Sequence, residues 1–359
     1  MRREAYSIES PVGYTLARKS RNLSRNDVES HMDQFVRDYS MAIALALFAL
    51  GVVLGRMLEV WSKRMCWQFR LEMQYEPAEY PGLKLPATEL LTGLLFAGYF
   101  LAVFSFSAHD TENVLPSHFW QYGRAIGHLV LIALLVAATA TDFREYIIPE
   151  QITFPGTIFA IGLAVFSGDV QLMHLWVDWN QEITGFRGAY IPDWIKESHH
   201  LHGLAWSLAG LAAGAGITWL VREISSRVLG QEALGAGDVT LMAMIGAFLG
   251  WQPVVFVFLL APLGGIFAGL LARLIAKRSY IPFGPYLSLS AIAVLLGWRW
   301  LWMLEIPGTI SIRRFFGDAP GLGILGGISL VAFVGLLASV RLYRSIPTDR
   351  TVDGRPNED

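Results

Sequence analysis

Gly235-Ala236-Gly237-Asp238-Val239-Thr240-Leu241-Met242-Ala243-Met244-Ile245-Gly246-Ala247-Phe248-Leu249-Gly250-Trp251 sets an acid at the entry of an apolar run. Gly235 and Gly237 let the backbone turn tightly and lie close to a neighbour. An ionisable side chain at the edge of a hydrocarbon-facing segment is costly, so it marks a functional site by default. The fold turns on whether the rest of the chain is equally apolar, and the chemistry on whether a second acid shares the membrane face.

The composition answers the first question. Of 359 residues, 53% are hydrophobic and 16% charged, with a mean hydropathy of +0.43. Soluble domains carry about 25% charged residues. This depletion, with long charge-free runs, reads as an all-α, polytopic membrane helix bundle of about eight or nine spans. A net charge of −2 offers no basic field for nucleic acid. The single Cys66 excludes a disulfide framework or a cysteine-based zinc cluster within the chain. Residues 1–39 read as a polar tail, too long and mixed in charge for the n-region of a cleavable signal.

Apolar runs follow at about 40–61, 89–107, 124–141, 152–166, 203–221, 239–251, 253–274, 286–304 and 321–342. Ser62-Lys63-Arg64 closes the first, and a polar loop reaches Lys84. The fourth run is short and contains Pro155 and Gly156. Gln252-Pro253 reads as a sharp break between the sixth and seventh. The third run ends in Thr141-Asp142-Phe143-Arg144-Glu145-Tyr146-Ile147-Ile148-Pro149-Glu150, and Asp142 is the second acid. Pro149 forces an extended step before the next helix. Two spans separate Asp142 from Asp238, so both acids return to one face. Lys63, Arg64, Arg70, Lys84, Arg144, Arg222, Arg227, Arg273, Lys277 and Arg278 fall in loops on that face, which the positive-inside rule makes cytoplasmic. The cations of the tail, Arg2, Arg3, Arg18, Lys19, Arg21 and Arg25, run against this count. The loop 168–202, with Trp176, Trp179 and Trp194, falls on the opposite face and reads as interfacial and dispensable.

Two carboxylates a few ångströms apart cannot both ionise. The ionised member takes a proton from water while the protonated one polarises a peptide carbonyl, the arrangement of aspartic proteases. Taken singly, Asp238 is equally a helix N-cap and Asp142 an ordinary interfacial acid. Together, with two-span parity, they read as catalytic. A transporter or channel using both acids would favour mid-span positions and an inverted repeat, and no repeat is visible in the sequence. A non-catalytic scaffold of a secretion system is the third reading, against which both acids are retained.

The Gly-x-Gly-Asp turn and the ending Ile245-Gly246-Ala247-Phe248-Leu249-Gly250-Trp251 resemble the type IV prepilin leader peptidase family of membrane aspartyl peptidases. Asp142 to Pro149 is similar to its first aspartate motif. Ile281-Pro282-Phe283-Gly284-Pro285-Tyr286 is similar to its Ile-Pro-Phe-Gly-Pro element, and Tyr80-Pro81 with Glu89-Leu90-Leu91-Thr92-Gly93-Leu94-Leu95-Phe96 to the entry of its second span. The resemblance implies Asp142 and Asp238 as catalytic residues. It implies Gly235, Gly237, Pro149, Glu150, Pro282, Phe283, Gly284 and Pro285 as substrate-positioning ones. It implies cleavage after Gly of type IV pilin or pseudopilin precursors of pilus and type II secretion systems, at the cytoplasmic face of the bacterial inner membrane. Many members then N-methylate the product with S-adenosylmethionine; the peptidase step itself needs no cofactor or metal. Membrane lipids are the other expected partner, and the oligomeric state is left open. The implied domains are a tail 1–39, a reduced methyltransferase-like region 40–107, a peptidase core 108–304 with the 168–202 insertion, and an extra span with a charged tail, 305–359.

The departures fall on the methyltransferase side. Where the family's first span ends Gly-Ser-Phe-Leu-Asn-Val, this chain has Gly55-Arg56-Met57-Leu58-Glu59-Val60. Its first loop holds Cys66 and no histidine in place of two Cys-x-x-Cys pairs, so Trp67, Phe69, Leu71, Tyr75 and Tyr80 are expected to pack it. Thr240 stands where a lysine is common and Glu150 where an Asp is usual. His199, His200 and His202 read as an interfacial loop before a metal site, Cys66 as a packing residue, and Trp298, Trp300 and Trp302 as an interface belt.

Overall fold

A computed structural model describes residues 31–76, 86–111, 114, 117–177, 191–230, 232, 234–275, 282–305 and 312–345. Eleven named helices occur in this order: α1 (Ser40–Glu72), α2 (Ala87–Phe100), α3 (His118–Glu145), α4 (Glu150–Ser167), α5 (Asp193–Glu197), α6 (His199–Leu229), α7 (Ala236–Leu249), α8 (Trp251–Ile275), α9 (Gly284–Trp302), α10 (Ile312–Phe316) and α11 (Ala319–Ser345). A π-helical turn, Leu101–Ser105, extends α2. Six helices (α1, α2 with its turn, α3, α4, α6 and α11) are long and apolar enough to cross a membrane. With α7, α8 and α9 they coincide with the nine apolar runs of the sequence. The chain is a polytopic helical bundle, as read, and no strand is named among the described residues.

Small residues set the closest helix crossings, as expected where lipid tails compete equally for apolar side chains. A Cβ on Gly210 or Gly214 of α6 would collide with the carbonyl oxygens of Gly246 and Met242 on α7. A Cβ on Gly51 or Gly55 of α1 would come within 2.7 Å of the Gly93 or Glu89 backbone of α2. The core lies where α3, α4, α7, α8 and α9 meet, with Leu131, Leu135, Ile152, Leu241, Ile245, Val257 and Leu295 fully buried.

Several expectations need correction. The first polar loop does not begin at Ser62, because α1 runs on to Glu72. Trp67, Leu71 and Tyr75 are each more than half exposed, and Tyr75 meets the Phe69 ring edge-on at 6.4 Å. Polar contacts along the inner face of α1 also hold this segment. Tyr80 and Pro81 lie outside the described residues. The break between α7 and α8 sits at Gly250, whose φ of 85° ends α7, and not at Pro253, which starts α8 where a missing N–H costs nothing. Trp298 and Trp302 are not an interface belt. They are buried and stacked 5.2 Å apart, and only Trp300 faces outward. The first ten residues of the 168–202 loop are packed into the bundle and are not an interfacial segment. Leu172 and Met173 are fully buried, the Leu172 carbonyl accepts from Trp298 Nε1, and Gln252 Nε2 donates to the His174 carbonyl at 2.8 Å. Trp179 and residues 178–190 lie outside the described residues, and helix α6 already begins at His199.

Candidate active site

Asp142 lies three residues before the end of α3, where the chain must leave its helix to reach Pro149. Tyr146 ends α3 in the left-handed region, φ 57° and ψ 34°, with its N–H on the Asp142 carbonyl at 3.0 Å. This conformation is unfavourable for a bulky side chain and marks local strain. Pro149 is extended (ψ 140°) and serves as the N-cap of α4. The link Tyr146–Pro149 thus folds back beneath Asp142 and presents Ile148 inward.

Asp238 occupies the third position of α7. Its Oδ2 accepts the N–H of Gly235, the N-cap residue, at 3.0 Å, so the carboxylate satisfies a free donor of the helix start. Gly235 has φ −71° and needs no glycine-only conformation, whereas Gly237 is needed for closeness. A Cβ on Gly237 would lie 3.0 Å from Ile148 Cβ. Ile148 also reaches α9, its Cδ1 2.8 Å from where a Cβ on Gly284 would stand. The Gly284 N–H donates to Asp142 Oδ2 at 3.0 Å.

Asp142, Ile148, Gly237, Asp238 and Gly284 therefore form one contiguous cluster at one end of the bundle. Ile148 stands against both Gly237, the neighbour of Asp238, and Gly284, the donor to Asp142. Both acids are buried, 5% and 7% exposed. Each has one oxygen held by a backbone N–H, and the other takes no hydrogen bond from any described residue.

The remaining expected positions surround this cluster. Pro282 and Pro285 are buried, Phe283 is the N-cap of α9, and Gly284 is its first residue. Glu150 begins α4 and is exposed. Ile281 lies outside the described residues. His199, His200 and His202 stand at the far end of the bundle. There His202 Nε2 accepts the Leu175 N–H at 3.0 Å and His200 Nδ1 bonds the Val165 carbonyl at 2.8 Å.

Sequence reasoning missed Ile148 and a polar group behind Asp142. Arg144 donates through Nη2 to both carboxylate oxygens of Glu59, at 2.6 and 2.7 Å, and through Nη1 to Ser62 Oγ at 2.6 Å. Thr88 Oγ1 and Lys63 Nζ also reach Glu59, at 2.8 and 3.1 Å. Arg70 pairs with Glu145 at 2.7 Å, and Arg56 with Glu89 at 3.3 Å. The signal for these residues was present in Glu59, an acid inside an apolar run that requires a buried cation.

Both acids fall within the segment that comparison with known proteins singles out. Residues 129–270 match the type IV leader peptidase family. The resemblance read from the sequence is borne out by this match and by curated relatives named prepilin leader peptidase/N-methyltransferase. The protein of that name from Dickeya chrysanthemi is 30% identical over 224 residues, 60% of this chain and 62% of the relative. That from Pseudomonas putida is 29% identical over 185 residues, 50% of this chain and 53% of the relative. That from Myxococcus xanthus is 30% identical over 197 residues, 55% and 44% of the two chains. The chain thus spans 44% to 62% of the length of these relatives. No solved structure matches. Helix α9, which brings Gly284 to Asp142, lies beyond the matched leader peptidase segment.

Proposed function

We propose that this chain is a membrane aspartyl endopeptidase. It removes the leader of type IV pilin-like precursors, cutting after Gly at the cytoplasmic face of the bacterial inner membrane. The observation that carries the reading is the meeting of Asp142 and Asp238, 96 residues apart in sequence, around Ile148, each with one oxygen held by a backbone N–H. One carboxylate takes a proton from the water between them as that water attacks the scissile carbonyl. The other, protonated, donates to the carbonyl oxygen. Collapse of the tetrahedral intermediate returns a proton to the leaving amine and frees the mature N-terminus. The helix-end positions of both acids favour this over a mid-span ion pathway.

The domain reading follows: a peptidase core within 108–304, an N-terminal pair of helices in 40–107, and α11 with the charged tail as an addition. Glu59 is taken up by Arg144, Lys63 and Thr88, and Arg56 and Glu59 replace the small and amide residues of the family's first span, so we infer weak or absent N-methylation. With only Cys66 and no histidine between Ser62 and Thr88, the region also lacks the four ligands of a structural zinc site.

The test is cleavage of a precursor with a short basic leader ending in Gly by purified protein. Asp142→Asn and Asp238→Asn should each abolish it while membrane insertion persists. Substantial residual cleavage by either variant would remove that residue from the mechanism. Mass analysis of the product with S-adenosylmethionine, with and without chelator, should show no full methyl increment and no loss of cleavage.

A further inference from the structure

We propose that Arg144 and Glu59 are positioning residues that clamp the end of α3 to α1 and so fix where Asp142 points. This rests on the peptidase reading. Neither side chain reaches the acid pair's backbone donors, and neither is a substrate-positioning residue expected above. Arg144 stands two residues after Asp142, in the turn that must unwind at Tyr146. Its fork takes both oxygens of Glu59 and the hydroxyl of Ser62, three charge-assisted bonds of 2.6 to 2.7 Å. Glu59 is 7% exposed and is further held by Lys63 and by Thr88 at the start of α2. The next residue, Glu145, is tied to Arg70 of the same α1 face. Both residues after Phe143 are thus fastened to α1, over a stretch where the α3 helix is ending and its own hydrogen bonds run out.

A helix end left untethered frays within its last turn. Here fraying would let Asp142 leave the Gly284 N–H and drift from Asp238. Gly284 of α9 holds only the Asp142 carboxylate, whereas α1 holds the two residues that follow Phe143. The α1–α2 hairpin thereby acts on cleavage without touching substrate. Two cations meet Glu59, so loss of Arg144 leaves the buried carboxylate paired with Lys63. Arg144→Gln is therefore the cleaner variant, and Arg144→Lys keeps the charge but loses the fork.

In the full-length protein, Arg144→Gln should lower kcat for precursor cleavage between about 10- and 100-fold, because small misplacement of a catalytic group has that effect. KM should stay within about twofold, since no binding contact is removed. Arg144→Lys should fall between wild type and Arg144→Gln, and it carries the test if Arg144→Gln does not fold. A second readout needs no activity. Hydrogen exchange in detergent should be faster at the Tyr146 N–H, which bonds the Asp142 carbonyl at 3.0 Å, in Arg144→Gln than in wild type. A rise in KM at constant kcat would make Arg144 a substrate contact and overturn the proposal. Unchanged kcat with unchanged exchange would overturn it too. If the wild-type protein cleaves no precursor the peptidase reading fails, and faster or unchanged exchange still decides the clamp.

Discussion

Gly284 has no room for a side chain because a Cβ there would stand 2.5 Å from Asp142 Oδ2. The same glycine supplies the N–H that this oxygen accepts. Gly284→Ala should push the carboxylate aside and cut cleavage by about 10- to 100-fold, with KM little changed, in the precursor assay. His109 offers a different residue-level test. It is buried between α2 and α3, bonds the Leu295 carbonyl at 2.8 Å, and faces Tyr99, His128 and Arg124. Burial, aided by the Arg124 charge, pushes its pKa down to about 3. The unfolded chain takes up a proton near pH 6.5, so this contribution is complete above that value. It is lost as the pH falls toward the folded pKa, at about 1.4 kcal/mol per unit. Thermal unfolding in detergent should show a steeper acid decline for wild type than for His109→Gln. At this scale the two acids were legible because each opens or closes an apolar run beside telling neighbours. Glu59 was visible only as an oddity, since its partner Arg144 is 85 residues away and no spacing rule connects them.

Helices α6 and α7 lie backbone against backbone. Gly210 and Gly246 face each other, and a Cβ on either would meet the other's carbonyl oxygen. Main chain cannot swing aside as a flexible side chain can. Gly246→Ala should therefore destabilise the protein by about 1–3 kcal/mol, measured as a lower Tm in detergent, while Gly216→Ala, with open space around it, should not. Apolar length and punctuation gave the helices their approximate places. They failed where polar residues continue a helix: Lys63 and Arg64 read as a stop, yet α1 passes through them because Glu59, Ser62 and Arg70 find partners on α2 and α3. Trp298 and Trp302, four residues apart on one helix face, could have been read as a stacked buried pair from spacing alone.

Across the molecule, crossing parity was the sequence argument that reached furthest, because it needs only a count of spans to set two distant acids at one end. It could not say which loop residues are structural. Residues 169–177 plug the far end of the bundle, with Leu172 and Met173 fully buried. Shortening within 178–190 should leave cleavage and Tm near wild type, whereas deleting 170–175 should abolish folding, read by gel filtration of the detergent-extracted protein. The bond from Gly284 to Asp142 spans 142 residues of sequence. It has a consequence for synthesis. A ribosome that has completed Asp142 and Asp238 has still to make α8 before the donor emerges. The half-built protein carries both acids in the membrane with one of them still lacking its backbone partner. Proteolytic competence would then arrive only with the late insertion of α9, and a nascent chain arrested before Gly284 should spare precursors already waiting in the same bilayer.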